Sequence, residues 1–248
     1  GFIGGGFISR FHIQSLISVR DVDVFGVMSK TKQSAEETAE LANDLGLGPA
    51  KAYDTITEMV EDPSINALWV CSPNFARIDT FEEIANAIKS GKGELVGVTC
   101  EKPLGRNVAE AKKVLELTQS VGLLDGYLEN QVFSPSITRG KEIIWARGAA
   151  TTGRPFLARA AEEHSGPHMP WFWEGELQGG GVLNDMMCHS VEEARFMLTE
   201  PGKPRDSIKP ISVSAHTDCL KWQRPKYADI LSKNSGGKTD YSKKPSED

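Results

Sequence analysis

Apolar positions in the first half of the chain alternate between two periods. Short runs with buried-strand character occur at Gly1–Gly4, Val22–Met28, around Ala52–Tyr53, at Ala67–Cys71, Glu94–Cys100 and Leu123–Leu128. Between them, apolar residues recur at spacings of three and four, which predicts helices. One runs from Phe7 to about Val19. A capping box, Ser34-x-x-Glu37, opens the next, and Gly46 and Gly48 close it. A short helix covers Ile56–Glu61 and stops before Pro63. Ser72-Pro73-Asn74 breaks a strand and caps a helix with Ile78, Phe81, Ile84, Ala85 and Ile88 inward, ending at Gly91. Asn107, three residues before Glu110, caps another with Val108, Ala111, Val114, Leu115 and Val121 inward, and Gly122 stops it. Alternation of this kind over residues 1–128 predicts an α/β fold built on a doubly wound parallel sheet, covered on both faces.

The rhythm changes after residue 128. A long helix is expected over Ser136–Arg147 and a strand at Phe156–Glu162. An irregular stretch rich in Gly, Pro, His and Trp runs from His164 to Gly181. A helix follows, with Leu183, Met187, Val191, Ala194 and Leu198 on one stripe, then a strand beginning at Ile211–Ala215. This pattern predicts a second, α+β domain over residues 129–248. From Arg224 onward no apolar period survives, and a loop or frayed end is expected. Two strands do not make a stable sheet by themselves, and the chain opens on a glycine inside a strand. We therefore expect a fragment truncated at both ends, with an incomplete second domain.

Composition narrows the function classes. Of 248 residues, 39% are hydrophobic and 25% charged, as in soluble globular proteins rather than disordered chains. The net charge of −6 argues against a general nucleic-acid binder. No run approaches the about 18 apolar residues of a membrane span. Cys71, Cys100, Cys188 and Cys219 form no CxxC pair, which fits a reducing, cytoplasmic setting; a missing N-terminal targeting segment stays open. Glycine is 24 of 248 residues, and its excess gathers in two clusters that both carry candidate chemistry.

The first is Gly4-Gly5-Gly6-Phe7-Ile8-Ser9, between a strand and a helix. Read as G-x-G-x-x-small, it fits a dinucleotide-binding turn: Gly4 permits the tight turn, Gly6 lets the backbone approach a pyrophosphate, and Ser9 occupies the small third position. The helix start at Phe7 and Ile8 offers N–H groups to the phosphates. At the end of the second strand an NAD site places Asp or Glu for the ribose. Here Met28-Ser29-Lys30-Thr31-Lys32 offers a hydroxyl and two ammonium groups instead. That chemistry suits a 2′-phosphate, so NADP is preferred over NAD. The alternative is that Lys30 and Lys32 are a solvated face.

Thr99-Cys100-Glu101-Lys102-Pro103 ends a parallel strand at the carboxyl edge, where such sheets bind ligands. Lys102 there can hydrogen-bond and polarise a substrate hydroxyl, and a cis bond before Pro103 is compatible with the corner. The second glycine cluster, Gly179-Gly180-Gly181, precedes Asp185 and His189. Four residues apart on one predicted helix, these two share a face, so the imidazole can take a proton and the carboxylate can orient it. Competing readings are a satisfied core pair and a zinc site from His164, His168, Cys188 and His189. The latter lacks structural-zinc spacing, so no metal is expected. Aromatic residues in His164–Trp173 can wall a sugar pocket, and Tyr127 and Glu129 lie near the sixth strand's end.

Together these motifs resemble the Gfo/Idh/MocA family of oxidoreductases. Their order carries the resemblance: the glycine loop, Ser72-Pro73-Asn74, Glu101-Lys102-Pro103, Asn130 with Phe133-Ser134-Pro135, Trp173, then Gly179 to His189. The resemblance implies a Rossmann domain followed by an α+β domain with a predominantly antiparallel open sheet, here incomplete, and a homo-oligomer when full length. It implies an active site using Lys102, Asp185 and His189, with the cofactor held by Gly4, Gly6, Phe7, Ile8, Ser29, Lys30, Ser72, Pro73, Asn74, Glu101, Lys102 and Asn130. Substrate, a sugar, polyol or related carbinol, would meet Lys102, His168, Trp173, Asp185 and His189. Met187 departs from the family's glycine, and Glu192 stands where an aspartate is common. A glycosidase using a tightly held NAD, and a non-catalytic dinucleotide sensor, remain open as alternatives.

Overall fold

The computed structural model of the chain describes residues 1–163, 166, 169–218, 221 and 224–237. The chain divides into two compact units, Gly1–Leu128 and Glu129–Asp248. Among the described residues, no helix is long and apolar enough to cross a membrane.

The first unit is a six-stranded sheet: β1 (Phe2–Ile3), β2 (Gly26–Met28), β3 (Lys51–Tyr53), β4 (Ala67–Val70), β5 (Gly97–Glu101) and β6 (Leu124–Leu128). The order is β3-β2-β1-β4-β5-β6 and every pairing is parallel. This is the Rossmann arrangement, whose order reverses at β1 and leaves a crevice above the carboxyl ends of β1 and β4. Five helices connect the strands: α1 (Phe7–Leu16), α2 (Lys32–Asp44), α3 (Ile56–Glu61), α4 (Arg77–Lys89) and α5 (Val108–Gln119).

Strand alternation makes two cores. Phe2 and Val27 face α1 and α2, meeting Ile13, Ala35, Ala39 and Ala42. Ile3, Leu68 and Val70 face the other side, meeting Met59, Val60, Phe81, Ile84 and Val114. Each buried Val, Leu, Ile, Phe or Met among them stabilises the fold by about 1.5–3 kcal/mol.

Caps set the helix starts. Asn107 accepts the Glu110 N–H, as its spacing predicts. The start of α2 differs from expectation. Thr31, on extended backbone, is the cap and accepts the Ser34 N–H, so Ser34 lies inside the helix and its hydroxyl donates to the Gly5 carbonyl at 3.0 Å. Glu37 instead pairs with Arg10 at 2.8 Å. Helix α1 ends at Leu16, short of Val19; Ile17 and Val19 are exposed, and nothing described covers them. In α5, Val108 and Leu115 are exposed. Seven positions apart, they share a line at the edge of the inward stripe, whose buried residues are Val114 and Thr118.

Asp62, after α3, ties the edge of the sheet together. It accepts the Tyr53 hydroxyl at 2.7 Å, the Lys51 ammonium at 2.9 Å and the Ser64 N–H at 2.9 Å. The Tyr53 bond above all, then Lys51 and Ser64, hold its carboxyl well below the usual carboxylate range. A depressed carboxylate contributes stability above its unfolded pKa of about 3.9 and loses it as pH falls through the folded value. Asp62→Ala should therefore cost about 1–2 kcal/mol at pH 7, mostly from the orphaned Tyr53 hydroxyl. Urea unfolding at pH 7 and pH 3 checks this: the gap to the parent chain should narrow at the lower pH.

The second unit is helical and irregular among its described residues. Helix α6 (Pro135–Ile143) runs through a π-helical turn (Ile144–Gly148) into α7 (Ala149–Thr152). Then come α8 (Gly175–Gln178), α9 (Gly181–Asp185), α10 (Met187–Leu198) and α11 (Pro225–Asn234). The Lys141 ammonium donates to the Phe196 carbonyl at 2.8 Å and the Trp145 indole to the Met197 carbonyl at 2.9 Å. The first adds a second donor to a carbonyl that the Thr199 N–H already reaches at 3.2 Å, and the second supplies a donor to a carbonyl in the last turn of α10.

Here the sequence expectations need correction. Residues 156–162 and 211–215, expected as strands, are irregular, with Phe156 90% and Ile211 100% exposed. A strand needs a neighbouring backbone to pair with, and no described segment supplies one; the antiparallel sheet is not seen. The helix expected from Leu183 is two, broken at Met186. Its stripe is not a buried one, because Leu183, Met187 and Val191 are exposed. The tail from Arg224, expected as loop, holds α11: Pro225 starts it and the Gly237 N–H closes it on the Ser232 carbonyl at 2.8 Å.

Candidate active site

The glycine turn is shaped from both sides. Gly4 has φ +111°, and a Cβ there would lie 2.9 Å from the Cys71 carbonyl oxygen. Gly5 is held from behind. Its N–H donates to the Ser29 hydroxyl at 3.2 Å, and its carbonyl accepts from the Ser34 and Thr38 hydroxyls at 3.0 and 3.1 Å. Gly6 is different: a Cβ there would meet nothing within 4 Å. It begins α1 with no side-chain cap and no acidic residue in the first turn. The N–H groups and positive end of the helix thus open onto free space beside Gly6. That cradle fits the diphosphate of a dinucleotide. Ser9 is wholly buried beneath it, as the third small position requires.

Past β2, Ser29 is committed to Gly5, Lys32 pairs with Asp54 at 3.2 Å, and Lys30 is exposed. No carboxylate stands among residues 28–32.

The carboxyl ends of β4 and β5 are bound together by Arg77, which is 3% exposed. Its guanidinium donates to the Ser72 carbonyl at 3.2 Å, to the Glu101 carbonyl, and to the Lys102 carbonyl at 3.3 Å. The Glu101 carboxylate lies 2.7 Å from His12 Nε2 and accepts the Lys102 N–H at 2.9 Å. The Lys102–Pro103 bond is cis. Lys102 is half-buried at this rim. Ser72 does not cap α4. Its hydroxyl meets Thr80 at 3.3 Å, and Pro73 leads into a 3-10 turn, Asn74–Ala76, without a side-chain cap. Burial pushes the Cys71 thiol up to about 12 and raises that of Cys100, so neither serves as a nucleophile.

Arg77 and His12 were not among the sequence candidates. Arg77 carries a legible signal: it lies four residues before Phe81 and seven before Ile84, on the inward stripe of α4. A charge at such a position must be paired or hydrogen-bonded. His12 has no comparable signal.

In the second unit, His189 is 4% exposed and its Nδ1 meets Glu129 Oε1. Glu129, 3% exposed, also accepts the Gln131 N–H at 3.0 Å and the Val132 N–H at 3.3 Å. The carboxylate at His189 Nδ1 is therefore Glu129 rather than Asp185. The helix break explains the correction. Asp185 closes α9, its carbonyl accepts the Cys188 thiol at 3.2 Å, and the His189 N–H goes to the Met186 carbonyl at 3.0 Å. Spacing of four no longer implies a shared face. One turn beyond His189, Glu193 has its carboxyl raised by burial, then by Glu162 and Glu129, with His189 opposing. Asn130 is exposed and opens the 3-10 turn Gln131–Phe133. Trp173, half-buried, lies against Gly166. His168, expected at substrate, lies outside the described residues, as do His164 and Cys219. Among the described residues, no group of three or more His, Cys, Asp or Glu side chains is placed to hold a metal.

Residues 1–125 match the profile of the Gfo/Idh/MocA oxidoreductase family, described by its NAD-binding Rossmann fold. The chain belongs to this family. Across 202 residues it is 29% identical to a 1,5-anhydro-D-fructose reductase of Ensifer adhaerens, covering 81% of this chain and 56% of that protein. It is 28% identical to a myo-inositol 2-dehydrogenase of Thermotoga maritima, covering 81% of this chain and 54% of the relative. The crystal structure of GenD2 from gentamicin A biosynthesis, in complex with NAD, superposes with a TM-score of 0.63 at 25% identity, covering 81% of this chain and 53% of GenD2. The chain thus spans about half the length of the proteins it matches. Within the Gfo/Idh/MocA frame, the turn at Gly4–Ser9 and the Lys102 rim take their places at the carboxyl edge of the sheet.

Proposed function

We propose that this Gfo/Idh/MocA chain belongs to an NAD(P)-dependent dehydrogenase that oxidises a CH–OH group of a sugar, polyol or related carbinol. The open cradle at Gly6, ahead of an uncapped helix, is the observation that carries the dinucleotide. The named activities of the relatives support the substrate class. Gly4, Gly6, Phe7 and Ile8 would hold the diphosphate, Ser72, Pro73 and Asn74 the path along the sheet edge, and Glu101, Lys102 and Asn130 the nicotinamide end. Bound there, the cofactor supplies a hydride acceptor.

The chain's own residues handle the proton and the charge. His189 takes the hydroxyl proton of the carbinol as its carbon gives up hydride. Lys102 donates a hydrogen bond to the same oxygen and offsets the charge developing on it. Asp185 binds a neighbouring substrate hydroxyl, and Trp173 walls the pocket. NADP is preferred to NAD because residues 28–32 offer no carboxylate to a ribose 2′-hydroxyl, and Lys30 supplies a cation for a 2′-phosphate. The full-length protein would work as a homo-oligomer.

The test is a panel of sugars and polyols offered to the full-length protein with NADP and with NAD, followed by nicotinamide absorbance. Reduction of the cofactor by at least one polyol or sugar, faster with NADP, is the expected result. Release of free sugar without net absorbance change would move the reading to a glycosidase. Absence of both would overturn it.

A further inference from the structure

The chemistry around His189 is more specific than a lone imidazole. Glu129 follows β6 at the first residue of the second unit, and its two oxygens are already engaged as acceptors. Oε1 takes the Gln131 N–H and Oε2 the Val132 N–H, both from the 3-10 turn that follows. The group facing His189 Nδ1 is therefore an acceptor, in a site where both side chains are almost completely buried. An imidazole that meets an acceptor at Nδ1 must carry its proton there, and its lone pair then sits on Nε2. The opposite tautomer would set a lone pair against a carboxylate with little water to screen them.

We infer that Glu129 is the positioning residue of this site. It fixes His189 as the Nδ1–H tautomer, presents Nε2 as the proton acceptor, and balances the imidazolium that forms when the carbinol proton arrives. The 3-10 turn Gln131–Phe133 packs against α10, so the carboxylate is held by backbone and the ring by its helix. Glu129, not Asp185, is the carboxylate placed at Nδ1 of the ring. No covalent step is added: the proton moves from the carbinol oxygen to Nε2 while the Nδ1 proton stays on the imidazole. This inference rests on the proposed role of His189 as base.

The test uses full-length protein with Glu129→Gln and Glu129→Ala, and His189→Ala as a control for the base itself. Two readouts are needed. Nitrogen-15 NMR of the histidine ring reports the tautomer without any turnover. Steady-state kinetics, followed by nicotinamide absorbance, separates kcat from KM. In the parent protein His189 should be the Nδ1–H tautomer. Glu129→Gln keeps the shape and one acceptor but removes the charge; kcat should fall about 10–100-fold with KM within about twofold, short of the about 10²–10⁴ that a general base contributes. Glu129→Ala should also lose the Nδ1–H signature. A parent ring protonated on Nε2 would overturn the inference. So would unchanged kcat in Glu129→Gln, the variant expected to keep the fold if Ala does not. If His189→Ala turns over at the parent rate, the base assignment itself fails, and the NMR result still decides whether Glu129 sets the tautomer.

Discussion

Replacing Lys102 with alanine in the full-length protein should lower turnover by about 10²–10⁴-fold, the range for losing one general acid–base or polarising group. The geometry makes this a clean change. The backbone of Lys102 is fixed independently of its side chain, by its N–H to Glu101 and its carbonyl to Arg77. Truncation removes the ammonium and its stem while leaving the corner in place. Dinucleotide affinity, read by fluorescence titration, should change less than tenfold, because Lys102 is proposed at the nicotinamide end only and the proposed diphosphate seat is at Gly6 on another loop. Lys102→Arg should not restore the rate, since a planar guanidinium cannot place a single donor where an ammonium did. Parent-like turnover in Lys102→Ala would remove this residue from the mechanism.

Arg77→Met is the second large effect, and it is a stability effect. One buried guanidinium supplies donors to the carbonyls of Ser72, Glu101 and Lys102. A methionine of similar volume fills the space and donates nothing. Each buried acceptor left without a partner costs about 1–3 kcal/mol. The three share one cation and are not additive, so about 3 kcal/mol is expected for the first unit. That is a large share of the about 5–15 kcal/mol that separates folded from unfolded domains. Urea unfolding followed by far-ultraviolet circular dichroism should show a clearly lower midpoint. Arg77→Lys should recover part of the loss, because an ammonium has three donors but not the planar span to reach three carbonyls. A midpoint within experimental error of the parent would show that water substitutes for the guanidinium.

The first unit was legible because several signals agree at each element. Leu68 and Val70 are buried apolar residues of one strand, Asn107 and Glu110 stand at capping distance, and Gly91 and Gly122 close helices with positive φ. The rim at Glu101-Lys102-Pro103 could be read from its place after a strand. Other features depend on contacts that no local pattern carries. Thr31 caps α2, and the Ser34 hydroxyl bonds the Gly5 carbonyl, a contact distant in sequence. Residues 156–162 and 211–215 have strand-like composition, yet a strand is a property of two backbones. The break at Met186 separates Asp185 from His189, and only the fold brings Glu129 to the ring, across 60 positions of chain.

The three hydroxyls around Gly5 have a consequence for how a ligand would arrive. Ser29, Ser34 and Thr38 lock both backbone polar groups of Gly5 with the chain's own side chains. The seat is thus already cast, and little chain entropy remains to be lost when an anion settles on it. Recognition should then resemble a key entering a finished lock more than a loop wrapping its guest, with selectivity decided by the contour of the groove rather than by the cost of ordering it.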